Sequence, residues 1–487
     1  MSIAAAIEFP CEALPEDPAL ARLLGVYPQR QDGLFMQRVR LPGGRIEAGQ
    51  LRALASIAER RGPGYPLHLT TRQEIEFHGL RREDIPAVQR EIQSAGLTSL
   101  GACGDTLRNL TCCPGAGRCP GTRDVSALCD AIGARAGSLP WIHQLPRKFK
   151  ISISGCPNAC ARPWINDVGL VAQTDGTIRA VVAGSLGARP ATGILFDATL
   201  SAATALPFVV AALRLFHAEG DRANRSRARL RHVRERMGDA AFVQKLNDLF
   251  KEELRAGDGP GPDWAPGSAR AKLVCRLRPP LGDLAPALAR ELAGGIAAAG
   301  AELRIGFEHD LLVYGKVPPP LTPPLQQWTA EPRIVSCPGT AWCSRGLADS
   351  RGTAASIRAA LPADCALGVS ISGCPNNCSH ASVADIGLVG RIRSVHGARQ
   401  ECYRLFAGGG AGKTANLANE LHPCVPAARV PETVRRIADE YVGSSGERAE
   451  SFGAFVSREK ARISETLASR LPLQIDTPPP ARLESGR

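Results

Sequence analysis

The spacing of apolar positions changes repeatedly along the chain, and each change marks an element. Gly33–Gly44 alternates apolar and polar side chains and closes on Pro-Gly-Gly, which predicts a strand and turn with Arg38 and Arg40 on one face. Residues 47–61 and 83–95 have the helical period, and His68–His78 alternates again as one strand. The first 97 residues thus read as a small α+β module after an irregular lead-in to about Pro28. A Pro/Gly loop follows up to Cys119, then a helix over 124–136 and a strand over 151–154. Further strands are expected near Val168 and over 178–182, and a glycine loop over 184–187. Residues 200–256 are helical and charged and read as a link between two halves, closed by the Gly/Pro boundary at 258–263 and 266–267.

The second half repeats the plan in shorter form. Strand-like stretches at 271–277 and 301–315 flank a helix over 285–299, and Pro318–Pro324 is a stiff connector. A cysteine segment spans 334–390, followed by a glycine loop at 408–412 and a helix over 431–441. Matching phrases at a nearly constant offset, Ser152–Cys160 with Ser370–Cys378 and Asp167–Val171 with Asp385–Val389, indicate an internal duplication. The expected organisation is a half-module at 1–97, a cofactor-type domain at 98–200, a helical linker at 201–265, a second half-module at 266–325, a second cofactor-type domain at 326–470 and a disordered tail at 471–487.

Composition narrows the class. At 487 residues the chain is too long for one core, and 44% hydrophobic with 22% charged residues is that of an ordinary globular protein. No apolar run is long and uninterrupted enough to span a bilayer, and the N-terminus lacks a signal-peptide pattern, so a cytoplasmic enzyme is expected. Sixteen cysteines in such a chain read as ligands and not as a disulfide framework. The net charge of +12 points to an acidic partner, with nucleic acid one candidate and an acidic electron-transfer protein or an anionic cofactor and substrate the others. The arginine-rich run at 222–236 reads as a solvated helix face.

Both cysteine sets follow Cys-x5-Cys, a long gap, then Cys-x3-Cys. They are Cys113, Cys119, Cys156 and Cys160, and Cys337, Cys343, Cys374 and Cys378. Zinc sites favour shorter spacing between paired ligands, whereas a [4Fe–4S] cube suits wide spacing, so the cube is preferred and zinc is the competitor. Cys112 beside Cys113 leaves the first register ambiguous, and the second set's spacing selects Cys113. Cys11, Cys103, Cys129, Cys275, Cys365, Cys402 and Cys424 have no partner spacing and read mostly as small buried apolar residues.

These cysteine phrases, with Leu69–Gln73, Arg108-Asn109 and Leu145–Lys150, resemble the sirohaem-dependent nitrite and sulfite reductases over residues 30–460. The resemblance implies an α+β fold, internally duplicated, with two ferredoxin-like half-domains forming one parachute domain and two α/β domains enclosing a sirohaem joined to a [4Fe–4S] cluster. It makes Cys337, Cys343, Cys374 and Cys378 the cluster ligands, with Cys378 shared with the haem iron, and Arg72, Arg108, Lys148 and Lys150 the residues that meet the substrate anion. Arg38, Arg40, Gln73, Arg147, Asn376 and Gly409 are expected at the cofactor. Fixed cations offset the dehydration of a small oxyanion, and ammonium groups can pass protons to it.

The halves are not equivalent. Aligned on sequence, Thr70–Gln73 falls opposite Ile305–Glu308 and Arg147–Lys150 opposite Cys365–Gly368, so one working site is expected, with the first cysteine set structural or an electron relay. Lys150 stands where the family's nitrite reductases often carry asparagine, which favours sulfite over nitrite. No flavin or dinucleotide fingerprint is visible, so electrons are expected from a separate ferredoxin or a flavoprotein. Gly408–Thr414 matches a phosphate loop loosely, but the first half's counterpart lacks Lys-Thr, so it is read as part of the shared fold. The rival functions are a precorrin-3B synthase-like enzyme, disfavoured by Arg72, Lys148 and Lys150, and a non-enzymatic two-cluster electron carrier.

Overall fold

Two ferredoxin-like sheets exchange edge strands across the duplication. A computed structural model describes the chain except residues 1–7, 258–260, 263, 265–266, 268–270, 363, 396–397, 414, 446–449 and 472–487. The expected boundary at 258–263 and 266–267 falls partly there, and the expected tail at 471–487 lies, beyond Leu471, outside the described residues. The first sheet runs Val26–Pro28, Leu34–Val39, Ile75–Arg81, Leu67–Leu69 and then Asp283–Leu284, which comes from the second half. The second sheet runs Lys272–Leu277, Leu311–Gly315, Glu302–Ile305 and then Arg45–Ile46 from the first half. Helices Ala48–Arg61 and Pro286–Ala298 cover these sheets, and both modules share one apolar core containing Leu54, Phe77, Leu292 and Val313. The two half-modules are one folded unit.

Asp283 fastens that exchange. Its carboxylate meets His68 Nδ1 at 2.8 Å and pairs with Arg351 of the second cysteine domain. Burial pushes the Asp283 carboxyl up, but His68 and Arg351 outweigh it and hold it below its ordinary range. The stabilisation is therefore present above the unfolded aspartate value and disappears as pH falls through the depressed one. Asp283→Asn is expected to cost about 1–3 kcal/mol at neutral pH. Unfolding midpoints of variant and wild type should converge as pH falls below about 4.

Each cysteine domain has a five-stranded mixed sheet of the same design. Thr111–Cys112, Ile151–Ser154 and Val168–Ala172 are parallel, and Ile178–Val182 and Ile194–Leu195 continue antiparallel. Ile334–Ser336, Val369–Ser372 and Ile386–Val395 repeat the parallel part, followed by Ala398–Ala407 and Asn419–Pro426. In both, the cysteine loops leave the carboxyl ends of parallel strands, where open α/β sheets place their ligands.

Three expectations change. Residues 201–256 are a layer of the first cysteine domain and not a free linker: Phe208, Phe216, Phe242 and Leu246 from Ala202–Glu219 and Asp239–Ala256 are buried with Phe149 and Ile153 in one core. Ala202–Glu219 is long and apolar enough to cross a membrane, but its apolar side is interior here. A capping box of Ser201 with Thr204 starts this helix. The arginine run is also not simply solvated, since Arg229 and Arg231 are buried.

The third change matters most. His68–His78 is two strands separated by a tight turn, because the Thr70 hydroxyl accepts the amides of Arg72 and Glu74 and Thr70 N–H donates to Glu74 O. Gln73 takes φ +59° in this turn. The second half has the same turn, with Gly306 N–H to Asp310 O and His309 at φ +55°. Matching the two left-handed residues places Glu308, not Phe307, opposite Arg72.

Candidate functional site

The turn carrying Arg72 is pressed against the second cysteine set. Thr71 Oγ1 donates to Cys378 O at 2.7 Å, joining halves that are 307 residues apart. The turn between Val26–Pro28 and Leu34–Val39 also holds the Cys337–Cys343 loop, with Arg30 N–H to Trp342 O at 2.8 Å and Gln31 Nε2 to Ala341 O at 2.6 Å. Cys337, Cys343, Cys374 and Cys378 lie within electrostatic range of one another. Backbone amides converge on the sulfurs: Gly373 N–H reaches Cys337 Sγ at 3.1 Å, and the amides of Asn376 and Gly346 face Cys374 and Cys343. Amides aimed at sulfur stabilise thiolates, so this donor set fits an iron–sulfur cube. Asn376 contributes through its main chain and its side chain is exposed.

Opposite Cys378 lie the four expected cations. Arg72 donates to Asn166 Oδ1 at 3.1 Å and Ile151 O at 3.2 Å, and its Nε is buried without a hydrogen-bond partner. Arg108 is buried, with Nε on Ala102 O at 2.8 Å. Lys148 and Lys150 alternate along the segment that enters Ile151–Ser154, and neither ammonium has a partner among the described residues. Burial pushes Lys148 down to about 7, helped by Arg229, while Cys378 pulls it up. Burial also drives Lys150 far below its ordinary value, with Arg72 and Lys148 next to it. Four cations within electrostatic range of one another, none of them paired with a carboxylate among the described residues, fit an anionic macrocycle and a small oxyanion.

Other expected cofactor residues divide. Arg38 is committed to Glu76, Arg40 to Leu100 O and Arg147 to Asp105 at 3.0 Å. Gln73 is fully buried and clamps Cys112 on both backbone groups and Ile305 O at 2.8 Å, so its role is to join the halves. Gly409 faces a different cavity of about 260 Å³ that opens on Cys160 and not on Cys378.

Two residues escaped the sequence reading. Glu74 has both carboxylate oxygens buried without a hydrogen bond, 3.9 Å from Arg38, and burial pushes its pKa up against Arg38, Arg108, Arg72 and Arg40. Arg229 reaches from the helical layer to Asp167, with Nη2 to Oδ2 at 2.7 Å, and the same Asp167 oxygen accepts Lys150 N–H at 2.8 Å. Asp385 holds Gly368 N–H at 2.8 Å in the same way. Only that repeated Asp-x-Gly-Leu-Val phrase could have pointed to Asp167. Of the unpaired cysteines, Cys129 hydrogen-bonds Cys112 and Cys402 hydrogen-bonds Cys424, all buried.

Comparisons with known proteins bear on the family and the fold. The family model described as nitrite and sulphite reductase 4Fe-4S domain matches residues 103–254 and 330–469. That described as nitrite/sulfite reductase ferredoxin-like half domain matches residues 27–95. The chain is 30% identical to the assimilatory ferredoxin-dependent nitrite reductase of Haloferax mediterranei, over 88% of this chain and 84% of that protein. It is 29% identical to the ferredoxin–nitrite reductase of Synechococcus elongatus, over 85% and 87%. Among solved structures, the NirA protein of Mycobacterium tuberculosis has a TM-score of 0.80 at 23% identity over 93% of both chains, a likeness of fold.

Proposed function

The chain belongs to the nitrite and sulfite reductase family of sirohaem and [4Fe–4S] oxidoreductases, and from that footing we propose that it reduces nitrite to ammonia with electrons from a ferredoxin. The observation that carries this reading is the meeting of Arg72, Arg108, Lys148 and Lys150 of the first half with Cys378 of the second, pinned by Thr71. Cys337, Cys343, Cys374 and Cys378 would hold the cluster, and Cys378 would be shared with the haem iron. When bound, the cluster and sirohaem would pass the donor's electrons to the anion.

The protein's own residues supply the rest. Arg72 and Arg108 are fixed by backbone and amide contacts, so they oppose the anion's charge without reorganising. Lys148 and Lys150, unpartnered and with depressed proton affinity, give up protons readily as oxygen leaves nitrogen. Asp167 fixes the Lys150 main chain, and Arg229 fixes Asp167.

Relatives named as nitrite reductases support nitrite, whereas the sequence alone favoured sulfite. Lys150 is the observation that keeps sulfite as a second reading. Protein purified without oxygen should turn over nitrite with reduced viologen at a higher kcat/KM than sulfite, and the reverse order would favour the second reading. With ferredoxin as donor the rate should fall steeply with salt while the viologen rate hardly moves, because the basic protein draws an acidic carrier.

A further inference from the structure

Cys113, Cys119, Cys156 and Cys160 take no part in the site built on Cys378, yet they are folded to the same plan. The thiols of Cys113 and Cys160 are within hydrogen-bond distance, and both Cys113 and Cys119 lie within electrostatic range of Cys156 and Cys160. The backbone cage is repeated in three of its bonds. Cys113 N–H to Ile153 O at 2.9 Å matches Cys337 N–H to Ile371 O at 3.2 Å, and Arg123 N–H to Gly155 O at 2.8 Å matches Leu347 N–H to Gly373 O at 2.9 Å. Ala159 N–H to Cys156 O at 3.1 Å matches Asn377 N–H to Cys374 O at 3.2 Å.

One feature shows that the cage is held against a cost, and a second that it is shaped to its sulfurs. Ala159 takes φ +54° where Asn377 takes +55°. Alanine has no polar side chain to compensate, so this left-handed conformation costs about 1–2 kcal/mol. Gly115 leaves room for Cys119, whose sulfur would stand 2.5 Å from a Cβ there, and its amide faces Cys113. Such a pattern is built around sulfur ligands, and among the described residues no three of His, Cys, Asp and Glu converge closely enough to hold a single ion.

The cavity beside Cys160 is the mirror image of the substrate site with its charges cancelled. Glu308 stands in the turn position of Arg72, and the strand register puts Ala366 and Gly368 where Lys148 and Lys150 stand. Arg333 and Arg162 are spent on Glu308 at 3.0 and 3.8 Å, and Arg162 also donates to its symmetry mate His380 at 2.7 Å, 218 residues away. A macrocycle carrying many carboxylates finds no unspent cation among these residues.

We propose that Cys113, Cys119, Cys156 and Cys160 hold a second [4Fe–4S] cluster that carries no sirohaem, so that each chain has two clusters and one haem. This rests on the proposed function only for the cluster and sirohaem at Cys378. The test is a count of iron, acid-labile sulfide, zinc and sirohaem in full-length protein purified without oxygen, with EPR of the reduced protein. The expected result is about nine irons and about eight sulfides per sirohaem, falling in Cys156→Ser to about five and about four with sirohaem unchanged. Wild-type protein with about five irons, and zinc or an oxidised Cys113–Cys160 pair in place of the second cluster, overturns it. Two sirohaems per chain overturn it as well. If Cys156→Ser does not fold, two reduced-cluster signals in the wild type, only one of them altered by haem ligands, support the proposal, and a single signal defeats it. Eight cluster irons without any sirohaem would defeat the functional reading while leaving the second cluster standing.

Discussion

Cys378→Ser is expected to abolish viologen-dependent nitrite reduction and to remove the haem absorbance together with the iron of the second-half cluster. Cys378 is exposed on the face that meets Lys148, and its backbone is held by Thr71 from the other half. The preceding Asn377 is fixed at φ +55°, which aims the loop. Serine keeps the shape but replaces a soft, readily ionised sulfur with a hydroxyl that binds iron poorly at neutral pH. The loss should therefore exceed that of any single cation, because one atom would serve both groups. Cys402→Ser is the control: Cys402 is buried against Cys424 in the antiparallel strands of the second cysteine domain's sheet, and its replacement should leave the spectrum intact. A Cys378→Ser protein that keeps its haem spectrum and its activity would remove Cys378 from the site.

Local patterns carried most of the frame. Cysteine spacing and the Gly-Cys-Pro-Asn phrase are fixed by residues near in sequence, so both cysteine sets stood out, as did the two half-modules from their strand and helix periods. What failed to show depended on distant partners. The alternation of His68–His78 runs unbroken through a turn that only the Thr70 hydroxyl and a left-handed Gln73 reveal. Missing that turn shifts the repeat by one residue and hides the reversal of charge from Arg72 to Glu308. Arg229 looked like one arginine of a solvated run because its partner Asp167 lies 62 residues away. Gln73 looked like a polar group for a ligand, but its amide is consumed inside the joint between halves. Substrate choice was read from the single residue Lys150, and one side chain separates two similar anions only modestly.

Lys148→Met is expected to lower kcat/KM for nitrite by about 10²–10³, the range for removing one preorganised charge donor. Methionine fills similar space without charge, so the change isolates the ammonium. In the folded protein burial and Arg229 push Lys148 down to about 7, so near neutrality it is shared between the ammonium and the amine. The ammonium is the form that opposes the anion and carries a proton to give. Activity should therefore fall as pH rises through about 7 in the wild type, and that alkaline limb should disappear in Lys148→Met. Lys148→Arg keeps the charge but cannot release its proton, so it should recover binding, seen in KM, more than turnover. An unpartnered buried ammonium opposes folding at neutral pH, and its removal should leave the unfolding midpoint unchanged or raised. A stable, slow Lys148→Met enzyme without the alkaline limb would place the proton and the charge on Lys148; the same limb in both proteins would assign it to another group.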